Sequence, residues 1–164
     1  MKIRELAEKY NDYIIERRRY YHSIPELSFE EKLTTESIVK DLEEMGIEVT
    51  TFPDYYGCVG LIKGGKVGKT VMLRADIDAL PVEEKTGLPF AATNGCMHAC
   101  GHDAHIAMQL GAARILVDLK DELEGDVKLL FQSAEESCYG AKYYAERGVL
   151  DGVDASFGMH IWGT

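Results

Sequence analysis

From residue 104 to residue 119 the chain is apolar almost all the way round a helix, with only His105, Gln109, Arg114 and Asp118 interrupting. A helix with no polar face has to be buried on every side, so the fold must supply other layers around this segment. The neighbouring sequence provides them. Residues 70–75, 126–132 and 155–159 read as strands, and residues 139–147 as a short helix closed by Gly148. Strands alternating with helices imply an α/β class: a mixed, partly parallel central sheet flanked by helices, its later strands parallel and joined by crossover helices.

The first half adds helices and a turn. Apolar residues at Ile3, Leu6, Tyr10, Ile14 and Tyr21 recur at helical spacing and predict one amphipathic helix ended by Pro25. Ser28 with Glu31 three residues on resembles a capping box for a second helix running to Gly46. Residues 47–52 alternate like a strand. Residues 58–62 and 70–75 flank a Gly-rich segment, which predicts a hairpin. That segment superficially resembles a phosphate-binding loop, but Lys63 stands where the pattern needs glycine and a strand follows where it needs a helix. Arg17, Arg18 and Arg19 are read as a solvated helix face, because residues 23–54 carry nine acids against Lys32 and Lys40.

Composition narrows the function classes. The chain has 164 residues, and 18 Lys plus Arg against 28 Asp plus Glu give a net charge of −10. Such a balance repels phosphate backbones, so nucleic acid is excluded as a partner. Hydrophobic residues at 46% are enough for a packed core. Neither an apolar leader nor a bilayer-length apolar run is present, which predicts a cytoplasmic protein without membrane contact. Four cysteines are too sparse for a disulfide scaffold and read as free thiols or metal ligands.

Three of the five histidines and two of the four cysteines fall within residues 94–105, as Cys96, His98, Cys100, His102 and His105. Thiolate and imidazole suit borderline-soft divalent ions such as zinc, cobalt, nickel or manganese. Cys100-Gly101-His102 is too tight for two ligands on one helix face and fits a loop feeding a helix N-terminus. Alone, the cluster favours metal binding on ligand type over a structural or coincidental grouping. Asp76, Asp78, Glu135, Glu136 and His160 all lie just past predicted strand ends, where open α/β sheets bind ligands. Two carboxylates about 4 Å apart repel by roughly 4 kcal/mol at an effective dielectric near 20, so the Glu135–Glu136 pair calls for a proton or a cation. With a cation, one carboxylate can ligate while its neighbour acts as base, which is the division of labour of metal-assisted hydrolysis.

Four ordered motifs are specific: residues 18–29 (RRYYHSIPELSF), 73–81 (LRADIDALP), 97–105 (MHACGHDAH) and 131–136 (FQSAEE). Together they resemble the M20 metallopeptidase family, and within it the amidohydrolase branch of hippurate, N-acyl-L-amino-acid and auxin-conjugate hydrolases. The resemblance implies a zinc-peptidase-like catalytic domain that cleaves the amide of a small N-acyl amino acid with two divalent ions (Zn, Mn, Ni or Co) and metal-activated water. Carried over residue by residue, it makes Cys100, His102, Glu136 and His160 metal ligands and Glu135 the general base. Asp76 and Asp78 stand behind the ligands, Asp76 being where many relatives have a ligating His, and Ser133 replaces a usual Pro. The resemblance further implies that residues 1–164 are the N-terminal part of the catalytic domain. A lid and dimerisation domain and one more His ligand would lie elsewhere, leaving this part alone inactive and a homodimer possible through the missing domain.

Two other readings compete: a catalytically silent metal-binding module, and a Cys100 nucleophile with His102 or His105 as base. Cys58 and Cys138 are expected as small buried hydrophobes, and Trp162 and the tyrosines as core.

Overall fold

The computed structural model describes residues 2–162. Helices α1 (Lys2–Lys9), α2 (Asn11–Ser23) and α3 (Lys32–Glu44) precede strands β1 (Glu48–Phe52), β2 (Tyr55–Ile62) and β3 (Val71–Asp76). Then come α4 (His102–Asp118), β4 (Val127–Gln132), α5 (Gly140–Glu146) and β5 (Ala155–Gly158). One 5-stranded sheet has the order β1-β2-β4-β3-β5. β2 is antiparallel to both β1 and β4, whereas β3 is parallel to both β4 and β5. The mixed, partly parallel sheet flanked by helices that the sequence implies is therefore present.

Period-two alternation divides the core. Leu129 and Phe131 of β4 and Ala75 of β3 point to the side packed by Tyr21 of α2, Ile38 and Leu42 of α3, and Ile106 and Leu110 of α4. Leu130 and Met72 point the other way, against Tyr144 of α5 and Val149. α4 is buried between the sheet and α2, and its Gly111 makes that possible: a Cβ there would stand 2.5 Å from Ile14 Cγ1.

The expected hairpin is split. β4 inserts between β2 and β3, so the strands flanking the Gly-rich segment are not neighbours. Those glycines serve close backbone approach to residues 120–126. A Cβ on Gly64 would meet Gly125 O at 2.1 Å and one on Gly68 would meet Glu124 O at 2.3 Å, while Gly65 N donates to Lys120 O at 2.8 Å. No helix follows them, as expected.

Two local readings also change. The first helix is two, interrupted at Tyr10 (φ −97, ψ 6), whose hydroxyl donates to Asp118 at 2.7 Å. The capping box is absent, because Ser28 Oγ donates instead to Asp78 Oδ2 at 2.6 Å. Glu26 caps α3: its carboxylate accepts the N–H groups of Leu33 at 3.1 Å and Thr34 at 2.7 Å. Gly46 and Gly148 do take left-handed backbones at their helix ends, with φ 74 and 72. Glu26→Ala should destabilise the chain by about 1 kcal/mol, read as a lower urea midpoint with unchanged slope.

Candidate metal centre

The carboxyl ends of β3, β4 and β5 deliver the chemistry to one place. Asp76 ends β3, with Asp78 two residues beyond, and both are buried. An isolated bridge between Leu80 and Met97 returns the chain so that residues 97–101 lie beside them. Gly101 turns it with φ 90, and α4 starts at His102. Past β4, Ala134 adopts φ 56 and is followed by Glu135 and Glu136. His160 lies two residues beyond β5.

These residues converge on His102. Its Nε2 is 3.8 Å from Glu135 Oε2 and 3.7 Å from Glu136 Oε1. Cys100 Sγ is 3.3 Å from His160 Nε2. Cys100, His102 and His160 form one set of potential ligand atoms within 4.8 Å of one another; His102, Glu135 and Glu136 form another, and Asp76, His102 and His105 a third. His102 Nδ1 donates to the carbonyl of Asp78 at 2.8 Å, which turns Nε2 toward the carboxylates. Both His102 Nε2 and Glu136 Oε1 are buried without a hydrogen-bond partner. Orphaned lone pairs of imidazole and carboxylate facing one another beside a thiol fit a divalent cation such as zinc.

Electrostatics points the same way. Burial works against charge on His102, yet the hydrogen bond to Asp78 and the charges of Asp76, Asp78 and Glu136 lift its pKa above the ordinary value. Burial, then the neighbouring Glu136 and Glu135, push the Cys100 thiol up to about 11. The pocket is short of positive charge. A thiol so placed is a poor nucleophile until a cation arrives. Of the two bases named for that reading, His102 spends Nδ1 on Asp78, and both nitrogens of His105 are engaged, by Asp76 and by Ile161 N–H.

Supporting residues were less legible. Asp78 Oδ2 accepts from Ser28 and from Glu136 N–H at 2.9 Å, tying the motif of residues 18–29 to the acid pair. Glu31, wholly buried at the start of α3, accepts the N–H of left-handed Ala134 at 2.8 Å and so fixes the turn that aims Glu135 and Glu136. The sequence singles Glu31 out only as the capping-box partner of Ser28, a different role from this one. The arginine run is more than a solvated face. Arg17 pairs with Asp41 at 3.3 Å, and Arg18 Nε reaches Asp103 Oδ2, in the first turn of α4, at 2.9 Å. His22 bridges Asp103 at 2.7 Å and Glu84 at 2.9 Å. His98, left open by the sequence, is buried outside the three ligand sets, and burial holds its pKa down to about 4.

Cys58 is buried as expected, but Cys138 is exposed with φ 62, in the turn between β4 and α5. Trp162 is 86% exposed and belongs to no core. Among the tyrosines, Tyr21 and Tyr144 are core, while Tyr139 is exposed.

The chain belongs to peptidase family M20/M25/M40, whose model matches residues 72–164, more than half its length. It is 48% identical over 166 residues to thermostable carboxypeptidase 1 of Saccharolobus solfataricus, an overlap of 98% of this chain and 42% of that protein. It is 48% identical over 158 residues to N-acetylcysteine deacetylase of Bacillus subtilis, covering 94% of this chain and 42% of that one. A solved Bacillus subtilis protein, described as a dinuclear metal binding peptidase from the M20 family, superposes with TM-score 0.91 at 46% identity, over 94% of this chain and 44% of that one. The chain thus spans less than half the length of each.

Burial raises the Glu31 carboxyl from 4.5 to about 7, against the pull of Ser133 and of the Ala134 N–H. The folded chain therefore holds this proton more tightly than the unfolded one, and the resulting stabilisation is full below pH 4.5 and lost as pH rises through about 7. Glu31→Gln should flatten that slope, measured as urea midpoints across the window.

Proposed function

We propose that the whole protein is a metal-dependent amidohydrolase acting on N-acyl amino acids, and that Cys100, His102, Glu136 and His160 hold divalent ions while Glu135 is the general base. The observation that carries this reading is His102: its Nε2 is buried, unpartnered, and 3.8 and 3.7 Å from the Glu135 and Glu136 carboxylates, and the same residue forms a second set of potential ligands with Cys100 and His160. One imidazole lone pair serves one ion, so the two sets that include His102 describe one ion position, and a second ion would be held through the other ligands named here and groups outside residues 1–164.

Bound there, divalent ions supply Lewis acidity, making water easier to deprotonate and the amide carbonyl more electrophilic. This chain's residues do the rest. Glu135 is the more open of the pair, its side chain 37% exposed against 21% for Glu136. It can therefore take the proton of the attacking water and return it to the leaving amine, while Glu136 stays anchored by its own N–H on Asp78. Asp78 keeps His102 in one orientation through its carbonyl.

The names of two relatives support the substrate class. One is by name an N-acetylcysteine deacetylase and another a carboxypeptidase. An amide with an amino acid as its amine side reconciles the two names. We assign residues 1–164 to the N-terminal part of the catalytic domain. The relatives' further length would supply the lid, another His ligand and the homodimer contact. No helix among the described residues is long and apolar enough to cross a membrane, and all four cysteines are free. A reducing cytoplasm suits a thiol ligand.

The full-length enzyme, stripped by chelator and reloaded with zinc, manganese, nickel or cobalt, should regain deacylation on a panel of N-acetyl and N-benzoyl amino acids; silence across the panel refutes the proposal. Glu135→Gln should lower kcat by at least about 100-fold with metal content unchanged. Undiminished turnover removes Glu135 from the mechanism. Iodoacetamide should label Cys100 slowly in the loaded enzyme and faster after chelation, whereas a nucleophile would react at once in both.

A further inference from the structure

A second buried imidazole sits in this pocket with no task in the proposed function. Asp76, His102 and His105 offer ligand atoms within 4.8 Å of one another, so His105 could itself be taken for a metal ligand. Its hydrogen bonds say otherwise. The Ile161 N–H lies 3.0 Å from His105 Nε2. An amide nitrogen only donates, so Nε2 accepts and the ring carries its proton on Nδ1. That proton is donated to Asp76 Oδ1 at 2.5 Å. Asp76 is itself fixed: Arg74 Nη1 is 2.7 Å from its Oδ2, and Arg74 Nε donates to Gln132 Oε1 at 2.9 Å. The lone pair a cation would need on His105 is already occupied.

Ile161 directly follows His160, on the segment that leaves β5 after Gly158. The His160 ring packs edge-on against His105, with centroids 4.8 Å apart. On its other side the Ile161 side chain fills the space left by Gly101, where a Cβ would stand 2.3 Å from Ile161 Cδ1. Residue 161 is thus held by its amide and by its side chain, each time by the loop and helix that carry Cys100 and His102.

We propose that His105 is a positioning residue for His160. Arg74 and Asp76 set the ring's tautomer, the ring holds the Ile161 amide, and that amide sets where the His160 imidazole stands relative to Cys100, 3.3 Å away. The inference rests on His160 being a metal ligand, but its geometry can be tested separately.

The test uses the full chain and two variants, His105→Phe, which fills the space without a lone pair, and His105→Gln, whose amide oxygen can stand where Nε2 stood. In the metal-free protein, NMR hydrogen exchange of the Ile161 amide should be at least tenfold faster in His105→Phe than in the parent, with protection largely kept in His105→Gln. Equal rates in Phe and parent, or equal loss in both variants, overturn the proposal. Zinc affinity, measured by chelator competition, should fall about 10- to 100-fold in His105→Phe with the same number of ions bound at saturation. Loss of one ion would make His105 a ligand and overturn it. In a His160→Ala background the same change should cost nothing further; an undiminished effect would show that His105 does not act through His160. A parent that binds no zinc refutes the metal reading, and the exchange experiment still decides the positioning.

Discussion

Negative charge crowded against buried imidazole organises one end of this molecule. Asp76, Asp78, Glu135 and Glu136 close on His102, and the arginine that reaches them, Arg74, is committed to Asp76. Each close carboxylate pair is opposed by roughly 4 kcal/mol at about 4 Å and an effective dielectric near 20. Packing and hydrogen bonds to Ser28, Glu136 N–H and Arg74 hold the acids in place, but they leave His102 Nε2 and Glu136 Oε1 unanswered. A bound cation is the simplest answer, and the geometry around it follows from where three parallel strands end.

The parts of this arrangement legible in sequence are those set by local chemistry. The all-round apolar segment became the buried α4, and the strand ends delivered Glu135, Glu136 and His160 to the predicted edge, because parallel strands put their carboxyl termini on one side. Non-local competition erased other signals. The hairpin failed because Gly64 and Gly68 serve the backbone of residues 120–126, a partner no local turn rule can see. Ser28 left its helix for Asp78, fifty residues on. His105 and Glu31 carry other roles in the sequence, a possible base and a capping partner, because the contacts that define them run to Ile161 and Ala134, far along the chain.

The support for α4 has the same character. Arg18 and His22, one turn apart on α2, both address Asp103, and His22 also takes Glu84 from the long loop after β3. A ring nitrogen facing each of two carboxylates ties two helices and that loop together beside the residue next to His102. The pocket is therefore braced from α2 as well as from the sheet, which gives residues 18–22, far upstream of the ligands, a structural task.

The strand order carries a consequence for how the molecule comes together. β1 and β2 can zip into a ladder as soon as both exist, but β3 must wait about fifty residues for β4, its first neighbour, and in the interval its apolar edge has no hydrogen-bonded companion. During synthesis this leaves β3 unpaired while residues 77–126 are made, an interval in which a chaperone would find it open.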